Sequence, residues 1–115
     1  MAGQAGYTHA EVKEFGKQAL EAALAANEGD TQSVGTRTMN AWTHVYEQIS
    51  DLISVMQANG LDVWVVSASS QPIVEAFAEK VNIAADHVIG IRNVVDANGK
   101  LDYNFQGCGP VPDGK

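Results

Sequence analysis

The segment Leu61-Asp62-Val63-Trp64-Val65-Val66-Ser67-Ala68-Ser69-Ser70 constrains this chain more than any other. Five of its first six residues are apolar, and three of those are β-branched. The run breaks into Ser-Ala-Ser-Ser. A helical pattern follows from Gln71 to Val81, with Pro72 near its start, where a missing N–H does no harm. This predicts a buried parallel strand over 62–67, a tight turn and a helix N-terminus. Such a junction points N–H groups outward at the positive end of a helix dipole, which suits an anion and often a phosphate. The same serines suit a plainer role, with Ser69 or Ser70 capping the helix. Local sequence leaves both roles open.

Around this junction the chain reads as alternating helices and strands. Thr8 followed by Glu11 fits a capping box for a helix to about Ala26. Its apolar stripe is Val12, Phe15, Ala19, Ala22, Ala23 and Ala26, widened by Leu20 and Leu24. Gly16 weakens that helix by about 1 kcal/mol relative to alanine. Residues 29–37, mostly polar with two glycines, suit a loop. A second helix is predicted from Thr38 or Asn40 to about 58. It carries Trp42, Val45, Tyr46, Ile49, Leu52, Ile53 and Met56 at amphipathic spacing. Asn59-Gly60 ends it. The helix after Ser70 should bury Ile73, Val74, Phe77, Ala78 and Val81. Asn98-Gly99 is a hairpin signal joining strands at about 88–95 and 100–105. The glycines and prolines after Gln106 read as a loop or tail.

Val63 to Ser70 resembles the second motif of haloacid dehalogenase superfamily phosphatases, in which a hydrophobic strand ends in Ser or Thr followed by small residues. The likeness is greatest to the phosphoserine phosphatase-like branch, phosphorylcholine phosphatases included. It continues through Val88-Ile89-Gly90-Ile91 and Asp96-Ala97-Asn98-Gly99-Lys100-Leu101, over roughly residues 40 to 109. The first forty residues are similar mainly in being helical, like that branch's cap. The resemblance implies that Ser67 holds a substrate phosphate through its hydroxyl, with the N–H groups of Ala68 and Ser69. It implies an α/β fold: a partial Rossmann-like core of strand, helix, strand and β-hairpin, preceded by two helices. The corresponding division is a cap-like segment over 1–38, a partial core over 39–109 and a tail over 110–115.

The family's chemistry also needs residues this sequence does not supply. An Asp-x-Asp motif provides the nucleophile and the general acid/base, and no two aspartates here have that spacing. The nearest approach, Glu28-Gly29-Asp30, follows no hydrophobic strand. The later acidic cluster that helps hold magnesium has no counterpart. Lys115 stands near the place of the family lysine without a following helix to hold it. Covalent phosphoryl transfer needs the carboxylate and the metal, and Ser67 replaces neither. No catalytic or metal-ligating residue is assigned. Magnesium is expected only in a full-length member.

Other side chains offer less. His9, His44 and His87 include no i, i+4 pair, and Cys108 is the only cysteine, too few ligands for a zinc site. Cys108 has neither a neighbouring cation nor a following helix to make it reactive. Val65 and Ser69 occupy the glycine positions of a Gly-x-Ser-x-Gly elbow around Ser67. Arg37 and Arg92 read as solvated charge, and Trp42, Tyr46 and Met56 as core. Fourteen acidic against seven basic residues give a net charge of −7, which disfavours nucleic acid and anionic membranes as partners. No apolar run approaches a membrane span and Met1-Ala2-Gly3-Gln4 lacks signal-peptide character, so a soluble protein is expected, of unassigned compartment.

The leading expectation is therefore part of a magnesium-dependent phosphomonoesterase, inactive alone, binding a small phosphorylated molecule or inorganic phosphate weakly. Alternatives are one half of a split phosphatase, or a non-catalytic anion-binding or self-associating α/β module. A homodimer or domain-swapped form is expected, covering the 62–67 strand edge or the 40–58 helix.

Overall fold

A threonine and a glutamate three residues apart start the first helix. The Glu11 N–H donates to Thr8 Oγ1 at 3.2 Å, and the Thr8 N–H donates to the Glu11 carboxylate at 2.8 Å. This reciprocal cap satisfies two otherwise orphaned donors, as the sequence predicts. The helix, α1, runs His9–Ala25. The computed structural model describes residues 2–107. Expectations for Cys108, Lys115 and the 110–115 tail lie outside the described residues.

Residues 29–37 are not a plain loop. Strand β1 (Thr31–Val34) pairs antiparallel with β2 (Arg37–Asn40), Thr31 opposite Asn40 and Val34 opposite Arg37. Gly35 supplies the positive φ, 62°, that a two-residue hairpin turn needs at its first position. Every residue of both strands is exposed. Without a buried face there is no apolar alternation, so the hairpin left little periodic trace. It also shortens the second helix. Helix α2 spans Glu47–Ala58, while 38–40 belong to β2 and 41–46 form no regular element.

The central unit is strand, helix, strand. Strand β3 (Val65–Ser70) leads into helix α3 (Gln71–Ala78), and β4 (Val88–Ile91) returns parallel to β3. The strand thus begins and ends later than the predicted 62–67. The apolar run still splits by period two. Val63 and Val65 pack on the core of Val74, Ala78, Ile83 and Val88, while Trp64 and Val66 are exposed. A strand buried on both faces needs cover on both, and here the face of Trp64 and Val66 stays at least half open. The predicted single strand over 88–95 divides at Arg92. Its second part, β5 (Asn93–Val95), pairs antiparallel with β6 (Leu101–Phe105) around the Asn98-Gly99 turn. Asp96 Oδ1 fixes that turn by accepting the N–H groups of Asn98 and Lys100, at 2.8 and 2.9 Å. Tyr7 and Gly6 bond the backbone of Leu101, which ties the start of α1 to this hairpin.

Helix α1 packs against α3 through Val12, Gly16 and Leu20, one position per turn. The predicted wider stripe is corrected, for Phe15, Ala19 and Ala22 are exposed. Gly16 sets the contact. A Cβ there would stand 3.0 Å from Ile73 Cδ1 and 3.3 Å from Ala76 Cβ. The glycine that costs helix propensity therefore lets two helices approach. At the rim, Lys13 and Lys17 of α1 grip the Glu79 carboxylate at 2.6 and 2.7 Å. Helix α3 buries Gln71, Pro72, Glu75 and Ala76 besides Val74 and Ala78, whereas Phe77, predicted buried, is half exposed. The short helix is pressed between α1 and the sheet, so its buried surface is not one simple stripe. Helix α2 buries no residue completely. Ile53 touches the core and Trp42 and Met56 are half-buried, but Val45, Tyr46, Ile49 and Leu52 of the predicted stripe are exposed, contrary to the role as core expected of Tyr46.

The grip on Glu79 has a pH signature. The hydrogen bond from Lys13 and then that from Lys17 draw the Glu79 pKa from 4.5 to about 2. A carboxylate depressed in the folded state stabilises above its unfolded pKa, and that stabilisation is lost as pH falls through the folded value. With the side chain 40% exposed, solvent screening keeps the gain small. Thermal unfolding should therefore show wild type losing stability faster than Glu79→Gln as pH falls from 4.5 toward 2. About 0.5 M salt should narrow the difference. Parallel curves for the two proteins would contradict the assignment.

Candidate functional site

The pairing of β3 with β4 is interrupted where the serines lie. Val66 stands opposite Ile89 and Ser70 opposite Ile91, so four steps on β3 span two on β4. Ser67, Ala68 and Ser69 have no partner across the ladder. They form a bulge within the strand, where the sequence predicts a turn after it. A bulge frees backbone groups from the ladder and re-aims side chains. Ser67 is half-buried, and Ala68 and Ser69 are exposed. The Ser69 N–H donates to Ser67 Oγ at 3.2 Å, so hydroxyl and amide already converge.

Capping does not explain the serines. Ser70 is the N-cap residue of α3, but its side chain makes no capping bond. Its hydroxyl donates instead to Gln4 Oε1 at 2.6 Å. The start of the chain thus occupies the expected capping group, and the first-turn N–H groups of α3 receive no side-chain cap. A helix end of this kind keeps its positive partial charge facing the residues before it.

Behind the bulge lies a buried polar chain that sequence reasoning missed. Gln71 Nε2 donates to the Val88 carbonyl at 3.0 Å and to Glu75 Oε1 at 2.8 Å, while Gln71 Oε1 accepts the Gly90 N–H at 2.6 Å. His9 Nε2 donates to Glu75 Oε2 at 2.9 Å, and Lys13 Nζ lies 3.4 Å from the same oxygen. Burial acts to raise the Glu75 pKa. Hydrogen bonds from His9 and Gln71, with the charges of His9 and Lys13, outweigh it and hold the carboxyl below its ordinary value. The signal available in the sequence was a Gln and a Glu four apart, in register with Val74 and Ala78 on one helix face. Polar residues on an apolar stripe mark a buried network.

A cavity of about 240 Å³ adjoins this network, lined by His9, Glu75, Arg92, Asn93, Leu101 and Gln106 among others. Among the described residues, Asn93 Oδ1 is a buried side-chain atom without a hydrogen-bond partner. The three histidines lie apart. His9 serves Glu75, His44 leans on Trp42 with ring centroids 5.0 Å apart, and His87 lies on Trp64 at 4.6 Å. Asp86 bonds His87 Nδ1 at 2.7 Å and raises the imidazole pKa. Arg37 sits on the exposed β2, and Arg92 is exposed at the cavity. No three His, Cys, Asp or Glu side chains gather as a metal site among the described residues. The bulge offers hydroxyls and amides but no carboxylate, so this donor set does not fit magnesium. No helix among the described residues is long and apolar enough to cross a membrane.

Glu75 should matter more than its ion-pair partner. Glu75→Leu removes an acceptor from the buried Gln71 amide and should cost about 1–3 kcal/mol in chemical denaturation. His9→Ala, at a half-exposed position, should cost under about 1 kcal/mol. Equal costs would mean that the Gln71–Glu75 bond adds nothing.

A family model described as haloacid dehalogenase-like hydrolase matches residues 1–115. No curated protein matches. The chain is similar to the structure of a conserved functionally unknown protein from Anaerococcus prevotii DSM 20548, with 23% identity and a TM-score of 0.74 over 90% of this chain. A phosphoserine phosphohydrolase-like protein from Francisella tularensis subsp. tularensis SCHU S4 matches at 16% identity and a TM-score of 0.43 over 54% of this chain. The chain spans 31% and 28% of the lengths of these two structures. The first likeness shows a shared fold.

Proposed function

The chain belongs to the haloacid dehalogenase-like hydrolases, and from that premise we propose that it is the phosphate-binding part of a phosphomonoester hydrolase, catalytically silent by itself. The observation that carries this reading is the bulge of Ser67, Ala68 and Ser69 ahead of the uncapped α3 N-terminus. A hydroxyl, backbone amides outside the ladder and a helix dipole together favour a phosphate group. No Asp-x-Asp occurs in the chain to attack it. The α/β core and hairpin then act as a scaffold for one substrate group. Nucleophile and metal ligands come from elsewhere in a complete enzyme, either the same polypeptide or a second one.

Titration with inorganic phosphate, followed by amide shifts, should move Ser67, Ala68 and Ser69 first, and Ser67→Ala should weaken the response. Affinity should be low, since the hydroxyl and amides of the bulge carry no full positive charge. Shifts confined to other residues would refute the site. An aryl phosphate assay with added magnesium should show no turnover above background. Activity that survives purification and vanishes in Ser67→Ala would overturn the claim of silence.

A second reading, that a further chain covers this one, is favoured by the apolar surface. Trp64, just before β3, and Val66 within it are 50% and 65% exposed, and Ile49, Leu52 and Val55 are similarly open on α2. Only β4 pairs with β3 among the described residues. An unpaired edge beside such surface is a template for association. Light scattering at micromolar concentration should give a dimer, with hydrogen exchange slowed in β3 or α2 upon association. A monomer at all concentrations would exclude self-association.

A further inference from the structure

Where the bulge leaves Gly90 of β4 without a ladder partner, a side chain takes its place. Gly90 faces no residue of β3, yet its N–H donates to Gln71 Oε1 at 2.6 Å. The carbonyl of Val88 accepts from the same side chain's Nε2 at 3.0 Å. One amide thus serves a donor and an acceptor of β4, as a peptide group of a neighbouring strand would. Glu75 decides which way round that amide sits. A carboxylate only accepts, so the Gln71 NH₂ must face Glu75 Oε1, and its carbonyl is left for Gly90. The seat is tight. A Cβ on Gly90 would stand 2.8 Å from Gln71 Cα and 2.9 Å from the Ser69 carbonyl oxygen, both backbone atoms. No other residue type fits there unless the bulge itself shifts.

We propose that Gln71 is a positioning residue for the anion-binding segment: its buried amide, seated on Gly90, replaces the missing ladder and fixes the bulge in the shape that presents Ser67, Ala68 and Ser69. This rests on the phosphate reading given above. Gln71 is 3% exposed and acts through the backbone, not by touching the anion. The bulge needs such a support. Unpaired N–H and C=O groups on buried β4 would otherwise pull the strand back into regular pairing, and the serines would be drawn into the ladder.

The test uses the whole chain and three variants: Gln71→Met, which keeps bulk and loses the amide; Gly90→Ala, which keeps every hydrogen-bonding group and closes the seat; and Val74→Ala, which destabilises the neighbouring core alone. Hydrogen exchange of the Gly90 amide and a titration with inorganic phosphate are read on each. In Gln71→Met the Gly90 amide should exchange at least about tenfold faster relative to α1 amides, as expected for losing one net hydrogen bond. Phosphate affinity should fall by about tenfold in Gln71→Met and in Gly90→Ala, while Val74→Ala stays within about twofold of wild type. Unchanged Gly90 exchange in Gln71→Met, or an equal loss of affinity in Val74→Ala, would overturn the proposal. If Gln71→Met does not fold, the comparison of Gly90→Ala with Val74→Ala decides. If wild type itself shows no phosphate shifts, the phosphate reading fails separately. Exchange at Gly90 and Ser69 then judges the support: faster in Gly90→Ala or Gln71→Met than in Val74→Ala upholds it, and equal rates refute it.

Discussion

A two-stranded parallel sheet has few ladder bonds, and this one gives up part of them. Between Val66 and Ser70 the register slips by two residues, and the Gln71 side chain bonds the Gly90 amide that the slip leaves unpaired, and the Val88 carbonyl besides. Much of the surrounding structure follows from that substitution. An amide buried at 3% exposure requires partners for all its hydrogens, so Glu75 is buried beside it. A buried carboxylate requires compensation in turn, and α1 supplies it through His9 and Lys13. The first helix is therefore bound to the sheet's defect by a chain of polar contacts as well as by packing.

That packing is close because it is made from small residues. Gly16 and Ala76 let α1 and α3 approach, and Val12 and Leu20 fill the space on either side. Lys13, Lys17 and Glu79 close the rim, where solvent limits what they add. The start of the chain contributes at two further points. Gly6 and Tyr7 pair with Leu101 on the hairpin, and Gln4 takes the Ser70 hydroxyl away from the helix end. The N-terminal segment thus buttresses both the hairpin and the serine-rich junction.

Other surfaces are less well covered. Apolar side chains of α2 and the outer face of β3 stay in contact with solvent. Their amphipathic spacing is as regular as that of a core helix. Spacing records which residues share a face. What covers that face is a property of neighbouring elements.

Several features needed nothing beyond the sequence. The Thr8–Glu11 cap, the Asn98-Gly99 turn and the strand–helix succession around Ser67 are set by local backbone chemistry, and all three are present. So is the α/β character of the chain, since a continuous apolar run gives way at Ser70 to apolar residues spaced three and four apart. Tertiary structure decided the rest. The exposed β1–β2 hairpin buries no face and so carries no apolar pattern. Gly16 reads as a weak helix residue until a second helix lies against it. Gln71 and Glu75 look like ordinary polar residues until β4, nineteen positions beyond Gln71 at its bonded amide, offers the groups Gln71 satisfies, and His9 and Lys13 of α1 reach Glu75. Helix and turn signals arise from neighbours within about four residues. Close approach and buried hydrogen bonding depend on distant segments meeting in space, which only the folded chain brings about.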